Sequence, residues 1–72
     1  MEIADTLALY GAGLSPDGFI VTPKGVTTRV RPIVYGKRLR VRSDSGELLF
    51  SGPAEPASLC AFVEKFWYWG KT

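Results

Sequence analysis

Six of the nine basic side chains fall between Arg29 and Arg42, in the run RVRPIVYGKRLRVR, and no acid lies among them. Arginine presents a planar fork of donors that matches carboxylate or phosphate oxygens two at a time. The chemistry open to such a run is recognition of an anion. Covalent and acid–base chemistry have far less to work with. The chain has no histidine, which removes the commonest general base and metal ligand. Its one cysteine, Cys60, supplies neither a thiolate zinc site nor an internal disulfide, and no histidine is present to activate it as a nucleophile. Neither GxxxxGK followed by Ser or Thr nor GxGxxG occurs, and Gly11-Ala12-Gly13 is a turn fragment. Asp17, Asp44 and Glu47 fall in or beside turns, where carboxylates serve backbone hydrogen bonds better than paired acid–base work. No catalytic, metal or cofactor residue is assigned. The expectation is a non-enzymatic binding protein.

What must position the arginines is a β-hairpin closing at Gly36-Lys37. A two-residue loop with glycine first suits a type II′ turn, because Gly36 accepts a positive φ without steric cost. That turn sets Tyr35 opposite Arg38, Val34 opposite Leu39, Ile33 opposite Arg40, Pro32 opposite Val41 and Arg31 opposite Arg42. Side chains alternate across a strand. Pro32, Val34, Leu39 and Val41 therefore share an apolar face. Arg31, Ile33, Tyr35, Arg38, Arg40 and Arg42 share the other, and Arg29 extends it. Like charges facing one another weaken a sheet. Charge runs commonly do no more than keep a face solvated. Three details favour binding: the cations are mostly arginines, Ile33 and Tyr35 add contact area among them, and only Asp44 and Glu47 lie near enough to neutralise one end.

The remaining elements follow from pattern and turn chemistry. Residues 2–10 read as a short helix with Ile3, Leu7 and Tyr10 on a stripe flanked by Ala4 and Ala8, stopped by Gly11 and Gly13; an edge strand is the alternative. Leu14-Ser-Pro-Asp-Gly18 is a turn. A second hairpin turn at Lys24-Gly25, with Pro23 opposite Val26, pairs Val21 with Thr28 and Phe19 with Val30. Phe19, Val21, Val26, Thr28 and Val30 then join the apolar face. After a turn at Asp44–Glu47, the last strand places Leu48 and Phe50 on that face and Leu49 among the arginines. The fold class is α+β: a four-stranded antiparallel meander (about 19–22, 26–35, 38–43 and 47–51) covered by a C-terminal helix. That helix runs over about 56–69, with Pro56 in its first turn and Leu59, Phe62, Val63 and Phe66 as its buried stripe. Trp69 extends the stripe, Gly70 ends the helix with Lys71 at its negative end, and Cys60 sits at the core edge. Trp67-Tyr68-Trp69 cannot all face inward on a helix, so Tyr68 joins the candidate contact residues.

Seventy-two residues form a single domain, 1–72, in which a core is marginal. Two tryptophans, three tyrosines and four phenylalanines enlarge the area available for burial. A hydrophobic content of 46% argues against disorder, and a net charge of +2 is too small for a polybasic tail. The lone cysteine and the absence of a basic-then-apolar N-terminal segment fit a reducing cytoplasm. No apolar run is long enough to span a bilayer, so no membrane partner is expected.

The pattern RVxxxVxGK from Arg29 to Lys37, on a hairpin that follows a strand and turn, with a helix ending FWYWG, resembles the small type I-F anti-CRISPR proteins of bacteriophages. The likeness covers about half of the chain. It implies a four-stranded antiparallel sheet carrying helices on one face. It also implies an inhibitor acting in the host bacterium's cytoplasm, as a monomer or small homo-oligomer, on a protein or ribonucleoprotein complex with an acidic surface. That family contacts its target through tyrosines and an acid on the exposed sheet; here the matching strand carries Arg31 and no acid. From Thr27 to Phe66, three strands followed by a helix, with basic residues on the open sheet, also look like the sheet-reading DNA-binding domains of phage integrases and plant AP2-type factors. That likeness implies direct DNA or RNA binding.

Overall fold

In the computed structural model, which describes residues 1–67, seven elements follow one another: α1 (Ile3–Ala8), β1 (Gly13–Leu14), β2 (Ile20–Val21), β3 (Val30–Tyr35), β4 (Arg38–Ser43), β5 (Leu48–Pro53) and α2 (Pro56–Phe66). They form an α+β fold with two antiparallel sheets, β1-β2 and β3-β4-β5. Leu7 of α1, Ile20 of β2, Val30, Leu39 and Val41 of the larger sheet, and Leu59, Phe62 and Val63 of α2 make one buried core. Among the described residues no helix is long and apolar enough to cross a membrane.

The N-terminal segment is helical, not an edge strand. Its stripe is narrower than expected: Thr6 and Leu7 are buried, Ile3 and Tyr10 half-buried, while Ala4 and Ala8 face solvent. Gly11 and Ala12 donate to the carbonyls of Ala8 and Leu7 and close the helix, so that Gly13 is free to start β1 instead of serving as a stop.

The single four-stranded meander is replaced by two sheets. The expected turn at Lys24-Gly25 is a three-residue loop, Pro23-Lys24-Gly25: Thr22 N–H donates to Val26 O (2.8 Å) and Gly25 N–H to Thr22 O (2.9 Å). Pro23 has no N–H for a ladder bond and its fixed φ suits the second position of a type I turn; Gly25, at φ 84°, follows in the left-handed region. Val21 therefore bridges Thr27 instead of Thr28. A slip of one residue exchanges the faces of a strand. Ile20 becomes the buried residue, Phe19 and Val21 are half-buried, and Val26 is 61% exposed. The strand also breaks before β3. Thr28 donates from both its N–H (2.8 Å) and its Oγ1 (2.6 Å) to Ile20 O, and Oγ1 accepts from Val30 N–H at 3.3 Å. These bonds bend the chain at Thr28-Arg29, and β2 pairs in register with β1 on its other side.

Two further expectations change at the far edge of the larger sheet. Val41 pairs with Phe50 and Arg42 with Leu48, leaving Leu49 as the extra residue of a β-bulge. Leu49 and Phe50 both pack against the core, and Leu48, expected inside, is exposed. α2 opens at Pro56 as expected but ends at Phe66, with Trp67 as its cap. Phe62 is buried 5.8 Å from the Phe50 ring, whereas Phe66 stacks on Phe62 at 5.1 Å and remains 48% exposed beyond the sheet. Val34 lies on the apolar side yet is exposed, in an open hollow with Met1, Lys37, Ala54 and Glu55. The expectations for Tyr68, Trp69, Gly70 and Lys71 lie outside the described residues.

Candidate functional site: the arginine face

The β3–β4 hairpin has the register read from its turn. Tyr35 pairs with Arg38, Val34 with Leu39, Ile33 with Arg40, Pro32 with Val41 and Arg31 with Arg42. Gly36 sits at φ 61°, the conformation a primed hairpin turn requires. On one side, Leu39 and Val41 are fully buried under α2 and its neighbours. On the other, rows of three side chains cross the sheet: Tyr35, Arg38 and Pro53; Ile33, Arg40 and Ser51; Arg31, Arg42 and Leu48. Arg31, Ile33, Tyr35, Arg38 and Arg40 are exposed and Arg42 is half-buried. Arg29 precedes β3 in the bend and stands at the end of the sheet.

Each guanidinium has a local partner, and the partners explain how one face tolerates so many like charges. The Arg31 guanidinium lies over the Phe19 ring, 4.5 Å from its centroid. Arg40 leans toward Tyr35, 5.8 Å from that centroid. Arg38 donates to Ser51 Oγ at 3.0 Å, and Arg42 donates to Gly46 O at 3.0 Å. Arg29 reaches Asp44 at 3.5 Å, with side-chain exposures of 87% and 41%, a pair worth little in water. Among the described residues, Asp44 is the only acid paired with any of these arginines. The face is therefore held in shape by neutral and aromatic neighbours and keeps its positive charge.

Two members of this face escape a reading from the sequence. Phe19, placed in the core by the two-residue turn, instead supports Arg31. The signal that could have found it is Thr22-Pro23-Lys24-Gly25, whose proline and glycine spacing marks a three-residue loop. The second is Leu48, which the Leu49 bulge turns out onto the row of Arg31 and Arg42, and nothing local in the sequence marks that bulge. Tyr68, the remaining candidate contact, lies outside the described residues.

Other places in the molecule offer less. Tyr10 donates to Glu64 Oε2 at 2.8 Å and ties α1 to α2. Hydrogen bonding with Cys60, burial and the Glu64 carboxylate hold the Tyr10 hydroxyl protonated well above the usual phenol range. Cys60 is half-buried beside it, at the edge of the core. An open hollow of about 500 Å³ between β5 and α2 is lined by Leu49, Phe50, Ala61, Phe62, Lys65 and Phe66, with Lys65 the charged side chain among the described residues. Among the described residues no group of three or more His, Cys, Asp or Glu could hold a metal ion. Compared with known proteins, the chain matches no family model, no curated protein and no solved structure.

Proposed function

We propose that this chain is a small non-enzymatic binding protein that docks its arginine face on an anionic macromolecular surface. The observation that carries this reading is the solvent-facing side of β3 and β4, where Arg31, Arg38, Arg40 and Arg42 stand together without an acid between them. Following the anti-CRISPR resemblance, the partner is an acidic protein or ribonucleoprotein surface of a bacterial defence complex, and the docked chain blocks that complex's nucleic-acid binding or action. It is then a phage or mobile-element inhibitor working in the host cytoplasm. A specific observation favours a second reading. The larger sheet has three strands, not four, and is backed by one C-terminal helix, the layout of sheet-reading nucleic-acid modules.

Two assays on one preparation test the proposal. Gel shifts against random duplex and single strands, at low and high salt, measure direct nucleic-acid binding; phosphate contacts give a slope near −0.9 per neutralised phosphate on duplex DNA. Pull-down from a bacterial lysate, with Arg40→Glu as the control bait, measures protein binding. The proposal requires at least one interaction that Arg40→Glu abolishes. If parent and variant behave alike in both assays, the arginine face is only a solvated surface.

A further inference from the structure

We propose that the arginine face holds single-stranded nucleic acid, with Tyr35 and the Phe19–Arg31 pair as two base-stacking platforms, Arg40 on the phosphates between them and Arg38 on those beside Tyr35. The proposal rests on the reading of this face as a binding surface, and names the chemistry of its partner. Tyr35 is 74% exposed at the rim of the sheet, so one side of its ring is open even with Arg40 beside it. The Arg31 guanidinium carbon lies over the Phe19 ring, 4.5 Å from its centroid. Nucleobases stack on aromatic rings and on guanidinium planes alike. Arg31 and Tyr35 stand four residues apart on β3, about 13 Å along the strand. Ile33 and Arg40 lie between them, in the central row with Ser51. The order along the face is planar group, cation and apolar contact, planar group. A charged chain with exposed bases offers the complement to that order.

The competing occupants fit less well. A duplex turns its base faces inward, so Tyr35 and the Arg31 plane would have nothing to stack on. A folded protein surface carries both signs of charge, and the rows that hold Arg31, Arg38, Arg40 and Arg42 contain no acid to answer a partner's lysines.

The test is fluorescence anisotropy of the full chain with a labelled oligo(dT) of about 10 nucleotides, inside the usual footprint of single-strand binders. The matching duplex is measured alongside, at 50 and 200 mM salt. The single strand should bind at least tenfold more tightly than the duplex. Tyr35→Ala should weaken it by roughly 5- to 150-fold, the range seen when a stacking aromatic is removed, and leave the salt slope unchanged. Arg40→Gln should lower that slope by about 0.7, the loss of one phosphate contact on a single strand. Thermal melts confirm that both variants are folded. Equal affinity for duplex and single strand, or a Tyr35→Ala variant that binds as the parent does, overturns the proposal. If no oligonucleotide binds at 50 mM salt while Arg40→Glu still abolishes protein capture, the single-strand proposal falls and the binding face stands. If both signals are absent, both fall.

Discussion

The two sides of the β3-β4-β5 sheet are made by the same six-residue strands, yet they serve opposite ends. Val30, Leu39 and Val41 alternate with Arg31, Arg38, Arg40 and Arg42 along the same backbone. The first set is sealed under α2, α1 and β2; the second meets water. Burial concentrates stability on one side. On the other, long side chains repel one another across the strands and are steadied only by a ring, a hydroxyl or a carbonyl. Because strand side chains alternate by one residue, the sequence that writes a core face writes its opposite at the same time. Energetic consequences of mutation should divide along the same plane.

The largest effect should come from the covered side. Phe62→Ala removes a buried ring that meets Phe50, Phe66 and Trp67 at centroid distances of 5.8, 5.1 and 5.3 Å. It should cost about 3–5 kcal/mol, a large share of what so small a domain possesses, and leave the chain mostly unfolded in a thermal melt. A shift of only a degree or two would mean that α2 does not seal this sheet. On the open side, Arg40→Glu should reverse the pattern. Stability should stay within about ±0.5 kcal/mol, with some relief of repulsion, while partner binding falls by about 2 kcal/mol or more. Melting and titration on one sample separate the two numbers; equal losses in both would erase the distinction between the faces.

A smaller effect probes the helices behind the covered side. Tyr10→Phe deletes the bond to Glu64 and should lower stability by about 1 kcal/mol at neutral pH. The folded-state hydroxyl titrates above its ordinary value of 10.0, so its contribution is complete below that pH and fades as pH rises through the folded value. Denaturation curves of parent and variant should therefore draw together above pH 10, and a constant gap would contradict the raised titration. The smallest effect should be Arg29→Ala. Its ion pair with Asp44 is 3.5 Å long and open to water, so a stability change beyond about 0.5 kcal/mol would show that the sheet end depends on it.

Turn chemistry explains much of what was legible and what was not. Ser15-Pro16-Asp17-Gly18, Thr22-Pro23-Lys24-Gly25 and Ser43-Asp44-Ser45-Gly46 build the same loop three times. In each, the glycine N–H donates to the carbonyl of the opening Ser or Thr, and that residue's hydroxyl accepts from the N–H four positions on, at Phe19, Val26 and Glu47. All three segments read correctly as turns. The middle loop is one residue longer than the expected two-residue turn, and that residue moves Ile20 inward and Phe19 out to Arg31; the first loop is one residue shorter at its start, because Leu14, expected in the turn, pairs with Ile20 in β1.

By itself, the sequence determined the β3–β4 register and with it the arginine face, because Gly36-Lys37 admits a tight primed turn and alternation does the rest. It also determined the start of α2 and its buried Leu59, Phe62 and Val63, because Pro56 and the helical spacing are local signals. Tertiary structure decided which partner β2 takes, since the Ile20 carbonyl is taken up by Thr28 and the chain bends before β3. It decided that Leu49 bulges toward the core, where α2 offers apolar contact that solvent does not. It also decided where the cover stops, leaving Val34 and Phe66 open. These outcomes depend on which surfaces meet, and residues close in sequence carry no record of that.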